Sequence, residues 1–225
     1  MQNKSSILKW IKRFLSGLIF LSFVLFVGRI LYLFYEDKID ADLEKIKRSE
    51  LGVQTVMKEN LAPILDFSKT HADLEIPETF LKKDQLSLKG IDANQNGIRD
   101  TVEINIFKKY PDSAKVRAPL LQFAQALQLE QEVETKDEKV VTEVVLKQEK
   151  AIKCIGDTLV PRKVPDLGRE DEEMEQIDAY INFVRGLQYD TKERVEARKI
   201  FLTKLRGFIN YAEINCDISS DNLSN

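Results

Sequence analysis

Residues 14–35 constrain this chain more than any other stretch. Phe14 to Tyr35 is apolar apart from Ser16, Ser22, a few glycines and Arg29. At about 1.5 Å per residue the run covers about 33 Å, close to the roughly 30 Å of a bilayer's hydrocarbon core. Lipid offers no partner for backbone N–H and C=O groups, so a span of this length is expected to be helical. A helix buried in a soluble core would show an apolar stripe, whereas this run is apolar on all faces. Trp10, Tyr32 and Tyr35 suit the two interfaces, and Arg29 can extend its charge to the headgroups.

Residues 1–13 carry Lys4, Lys9, Lys12 and Arg13 and no acid. This basic segment and the apolar run Phe14–Val27 also fit a cleaved signal peptide. No small-residue cleavage site follows, and apolar character resumes after Arg29, so an uncleaved signal anchor is expected. Lys and Arg number four before the span and four soon after it (Lys38, Lys45, Lys47, Arg48), a tie. The earlier set lies closer to the span and is joined by the α-amine. That places the N-terminus in the cytoplasm and the bulk of the chain in the periplasm or outside the cell.

The second constraint is chemical. Asp92 to Glu103 reads D-x-N-x-N-G-x-x-D-x-x-E, the ligand order of an EF-hand calcium loop. Calcium is a hard cation that takes six to eight oxygens. Asp92, Asn94 and Asn96 would offer side-chain oxygens, Ile98 its backbone carbonyl, Asp100 a carboxylate directly or through water, and Glu103 both carboxylate oxygens. Gly97 stands where the loop turns sharply and a positive φ is needed. The bland reading is a solvated Asn-Gly turn before a helix. Two features depart from a paired EF-hand: Arg99 sits where an apolar contact to a partner loop is expected, and the chain has no second loop. The segment Pro77–Gly90 is also too short and polar for a full entering helix.

In those respects the loop resembles dockerin-type and thrombospondin type 3 calcium loops. Asn96 to Glu103, with Tyr110-Pro-Asp-Ser113 after it, also looks like a pattern in secreted or periplasmic bacterial proteins in which one calcium-type loop precedes a helical region. The resemblance implies Ca²⁺ on Asp92, Asn94, Asn96, Ile98, Asp100 and Glu103, and it implies no activity. A lone loop with three carboxylates is expected to bind weakly, in the roughly 10⁻⁴ to 10⁻³ M range of extracellular modules.

Elsewhere the pattern predicts a mainly α chain. Residues 36–65 read as a juxtamembrane helix on Ile39, Leu43, Ile46, Val53, Met57 and Ile64. It packs on its own domain or, along residues 37–65, forms a homodimer seam. Residues 66–90 read as a linker, and residues 91–110 as the calcium loop with its exiting helix Thr101–Tyr110, on which Val102, Ile106 and Phe107 face inward. Residues 111–216 form a helical domain, with helices from about Pro119, from Asp137 to Ile155, from Glu170 to Leu187 and from Asp190 or Thr191; the charged residues 131–139 read as a break or an exposed face. Met174, Ile177, Ile181 and Val184 line one face of the third, and Val195, Phe201, Leu205 and Phe208 that of the last. The run Glu170–Glu173 reads as a solvated, dipole-matched N-terminus. Residues 217–225 are a polar, frayed tail. Cys154 and Cys216 are the only cysteines, and outside the cytoplasm such a pair is expected to bridge; two buried thiols are the alternative.

Composition narrows the function. One histidine, His71, in 225 residues excludes metal sites built on several histidines. A net charge of −3, with no basic patch interleaved with aromatics, argues against nucleic acid. No P-loop or dinucleotide fingerprint is present. The expectation is a membrane-anchored, extracytoplasmic, non-enzymatic interaction or scaffold module with a structural Ca²⁺ site and an unidentified protein partner. A Ca²⁺-responsive sensor or adaptor is the alternative, and a carboxylate-based hydrolase the third reading.

Overall fold

The computed structural model describes residues 3–61, 76–134, 137–164, 168–205, 214–216, 218 and 223, with the backbone alone for 3–12 and 49–61. Its regular elements are all helices: α1 (Asn3–Leu61), α2 (Glu78–Asp84), α3 (Asp100–Lys109), α4 (Ala114–Glu132), α5 (Glu138–Leu159), α6 (Asp171–Gln188) and α7 (Lys192–Leu202). The chain divides into two compact units, residues 1–41 and 42–225, and the division falls inside α1.

In the first unit, α1 is long and apolar enough to cross a membrane. Its large side chains from Phe14 to Tyr35 are solvent-facing, Phe20 and Ile19 at 69 % exposure. The Ser22 hydroxyl donates to Ile19 O at 2.8 Å, so it leaves no unpaired donor on that surface. The helix continues without a break through residue 36 and past Gly52, so the span and the juxtamembrane helix are one element. Residues 62–75, with the end of the expected helix and His71, lie outside the described residues.

The second unit is built around α4. Nearly every side chain from Arg117 to Gln131 is buried. The helix packs against α3, α5, α6 and α7. Ile98, Val102, Ile106, Leu120, Leu121, Leu127 and Ile155 are wholly buried in the shared core, and Ile181 and Val184 close it from α6. The spacing of Val102, Ile106 and Phe107 gave α3 its inward face, and all three are buried.

Several expectations shift. α4 starts at Ala114, five residues before Pro119, because the Ser113 side chain accepts the Val116 N–H at 3.2 Å and nucleates the turn earlier. Within the expected linker, Glu78–Asp84 is helical, its Phe80 and Leu81 N–H groups both donating to Pro77 O. In α6, Met174 is exposed and Glu173 buried. Glu173 is turned inward because its carboxylate accepts the Lys163 and Glu170 N–H groups, both at 2.7 Å. In α7, Arg194 takes the inward position and Val195 faces out, while Phe208 lies outside the described residues.

Cys154 and Cys216 are bridged, their sulfurs 2.16 Å apart. Cys154 packs with Ala118 of α4 and with Ile218, so the expected frayed tail is pinned at that residue. The bridge closes a 62-residue separation. Reduction is expected to lower unfolding free energy by about 2–4 kcal/mol; denaturant melts with and without reductant, beside Cys216→Ser, measure it.

Candidate metal centre

The stretch joining α2 to α3 is a closed loop, with Asp100 N–H donating to Ile91 O at 2.8 Å. Short polar side chains fold it by capturing its own backbone donors. Asp92 accepts the Asn96 N–H at 3.1 Å and the Gly97 N–H at 2.8 Å. Asn94 Oδ1 accepts the Asn96 N–H at 3.2 Å, and Asn96 Oδ1 the Ile98 N–H at 2.9 Å. Asp100 accepts the Ala93 N–H at 3.1 Å. Gly97 has φ +79°, the left-handed value its place in the loop calls for.

Glu103, on the first turn of α3, faces back over the loop. Its carboxylate accepts from Asn96 Nδ2 at 3.0 Å and Asn94 Nδ2 at 3.3 Å. All six expected ligand residues thus lie in one hydrogen-bonded loop, five of them through their side chains and Ile98 through its N–H. Ile98 also has its side chain wholly buried in the core, which fixes the backbone at that point.

These groups are charged and crowded. Burial pushes the Glu103 carboxyl up from 4.5 to about 7, against the two amide donors and with help from Asp100 and Asp92. Burial raises Asp92, and the Glu132 carboxylate adds to the rise; burial likewise raises Asp100. The donor set is all oxygen and suits a hard cation. Among the described residues, no three His, Cys, Asp or Glu side chains are already gathered as a metal cluster. For a cation to sit within the loop, Glu103 would exchange its two amide donors for the ion.

Two clamps outside the ligand set hold the loop. From α4, Gln125 Nε2 donates to Asn96 O and Gln128 Nε2 to Lys89 O, both at 2.7 Å. Below the loop, Arg99 is wholly buried. It pairs with Asp84 at 2.5 Å and Asp190 at 3.2 Å, and donates to the carbonyl of Leu187. Arg194 joins the cluster, pairing with Asp190 at 2.6 Å and donating to Asp84 O at 2.7 Å and Leu88 O at 3.1 Å. Arg99 therefore replaces the expected contact to a partner loop with contacts inside its own domain.

Sequence reasoning missed this cluster. Asp190 and Arg194 stand at a readable i,i+4 spacing, and Asp190 proves to be a partner there while Thr191 caps α7. Asp84 and Arg99 lie fifteen residues apart with no local pattern linking them. Beside the loop, Lys45, Arg48, Gln95, Asn96, Gly97, Gln125, Leu129 and Glu132 line a cavity of about 180 Å³.

No protein-family model, curated protein or solved structure matches the chain.

Arg99→Leu takes from buried Asp84 its nearer cation, leaving Arg194 at 3.6 Å, and is expected to cost about 3–5 kcal/mol in urea denaturation. Arg48→Leu breaks only the exposed pair with Glu44 and is expected to leave the midpoint unchanged. Glu103 generates a pH signature in chelator. Its folded value of about 7 lies above the ordinary 4.5. Its contribution to stability is thus full below about pH 4.5 and lost as pH rises through about 7. Glu103→Gln is expected to flatten that fall, measured as melting temperature against pH.

Proposed function

We propose that this chain is a membrane-anchored, extracytoplasmic helical protein with one structural Ca²⁺ site, presenting a helical surface to a protein partner. Asp92, Asn94, Asn96, Ile98, Asp100 and Glu103 are the ligands, in an EF-hand-like loop with an exiting helix only. The observation that carries the reading is Glu103. It is a largely buried carboxylate with a raised pKa, turned over a loop of oxygen-bearing side chains and countered only by two neutral amides. A cation there would neutralise charge that the fold otherwise leaves crowded.

The address rests on other features. The exposed apolar face of residues 14–35 suits lipid. The Cys154–Cys216 bridge suits an oxidising compartment, where a loop of weak affinity would also meet abundant Ca²⁺. A structural role fits a site bound on two sides to the core, by Ile98 and Arg99 below and Gln125 beside it. Asp42 and Ile46 are buried within the second unit, which favours packing of that part of α1 on its own domain over a dimer seam there.

The test is a thermal melt of the full chain in detergent, with Ca²⁺ and with chelator, beside Asp92→Ala. At a free concentration tenfold above Kd, Ca²⁺ is expected to stabilise the wild type by about 1.4 kcal/mol and the variant not at all. Equal melts of the wild type in Ca²⁺ and chelator would overturn the calcium reading. Labelling of the two cysteines in intact cells, with and without reductant, tests the orientation.

A further inference from the structure

We infer that the turn at residues 85–89, which follows α2, docks on the lipid surface beside the membrane span. The inference rests on the membrane-anchored part of the reading above and is independent of its calcium part.

Leu86 carries it. Its side chain is 84 % exposed, more than that of any other large hydrophobic residue among those described, Ile19 and Phe20 of the apolar run included. Leu88 is 41 % exposed, and Leu81 of α2 is exposed too. The turn that presents them is held from behind. Buried Arg194 donates to the carbonyls of Asp84 at 2.7 Å, Ser87 at 3.0 Å and Leu88 at 3.1 Å. Gln128 donates to the Lys89 carbonyl at 2.7 Å, and the Ser87 hydroxyl oxygen accepts the Gly90 N–H at 3.1 Å. Four carbonyls are thus paired inside the protein, so moving the leucines into an apolar phase strips none of the four of a water partner. The turn is also ordered in advance, and docking adds little ordering cost.

Charge and area name the occupant. Exposed Lys82, Lys83 and Lys89 flank the leucines. Lys82 pairs with Glu78 at 2.8 Å, while Lys83 and Lys89 make no ion pair among the described residues. The acid between them, Asp84, is buried and paired with Arg99. Apolar side chains flanked by unpaired lysines complement an anionic lipid surface, where the leucines enter the interface and the ammonium groups stay among the headgroups. A stable protein interface buries about 800 Å² on each partner, and three leucines on and beside one turn fall far short of that. A bilayer accepts single apolar side chains when the protein is already held beside it. The second unit begins at Asp42, seven residues after Tyr35. Seven residues reach at most about 25 Å, so an anchored chain keeps this unit at the membrane surface.

The test places an environment-sensitive dye on the full chain at Gln85→Cys, which leaves the leucines intact, or at Glu175→Cys on the exposed face of α6. Each labelled protein is reconstituted into vesicles of phosphatidylcholine with phosphatidylglycerol that carry a lipid spin-labelled near the headgroup. The label at 85 is expected to shift to the blue and to be quenched, and the label at 175 to do neither. Leu86→Asp abolishes the quenching at 85. Lys83→Gln and Lys89→Gln each lower the ratio of docked to undocked protein about fivefold, and phosphatidylcholine alone has a similar effect on the wild type. All three substitutions fall on exposed residues and leave the melting temperature unchanged. Equal quenching at 85 and 175, or full quenching in Leu86→Asp, overturns the inference. So does a label at 85 that shifts to the blue without being quenched by the lipid, because protein then covers the turn. Alkaline extraction of the vesicles tests the anchor separately. Release of the chain overturns the membrane reading and the inference with it, whereas retention without quenching at 85 overturns the inference alone.

Discussion

The second unit depends on a cluster of charge that is almost completely withdrawn from water. Arg99 and Arg194 bring two positive charges to it, and Asp84 and Asp190 two negative ones. Only Asp190 keeps a third of its side-chain surface exposed. Ions are taken out of water without large loss only when they are paired and their remaining hydrogen bonds are made. Here they are tied to four places at once: the end of α2, the end of the loop, the carbonyls that finish α6, and the first turn of α7. Gly90 belongs to the same arrangement. A Cβ there would lie 2.2 Å from Arg99 Cδ and 2.5 Å from an Asp84 oxygen, and the residue has φ +69°. The turn can close over Arg99 only because that position has no side chain.

A second polar group braces the other helices in the same way. Glu130 of α4 accepts from Gln148 of α5 at 2.8 Å, from the Tyr189 hydroxyl at 2.7 Å and from Arg198 of α7 at 2.7 Å. Burial first, and the Glu130 charge second, push Tyr189 well above its ordinary value, so it stays a neutral donor. Between the two groups run the aliphatic contacts of α4, which supply most of the burial but little directional information. Hydrophobic packing sets the density of this core, and the paired charges set which helix end meets which.

How far the sequence could be read follows from the range of each interaction. The apolar run 14–35, the inward face of α3 and the break before α5 are local patterns, and each stands in the structure close to where the pattern put it. The bridge between Cys154 and Cys216 was legible because no other partner existed for either. The fold of α1 as one helix was not, because the change from apolar to charged residues at position 36 alters the surface of the helix and not its backbone. Met174 and Val195 were misplaced for one reason: the periodic pattern counts apolar residues, and at both places a charged neighbour, Glu173 or Arg194, had a stronger claim on the interior through its hydrogen bonds. For the loop, sequence supplied the oxygen-bearing residues. It did not supply what holds them, since Arg99, Gln125 and Gln128 act across long separations.

Those two glutamines have a consequence for the loop's length. Gln125 and Gln128 stand three residues apart on α4, about 4.5 Å along its axis. They hold carbonyls on either side of the loop's start, at Asn96 and Lys89. The helix thus acts as a fixed gauge against which the six residues between them are measured. Surface loops usually absorb an added or missing residue at little cost. In this one, a change of a single residue between Gly90 and Gln95 would leave one amide off its carbonyl, and the misfit would pass into the most deeply buried helix of the molecule.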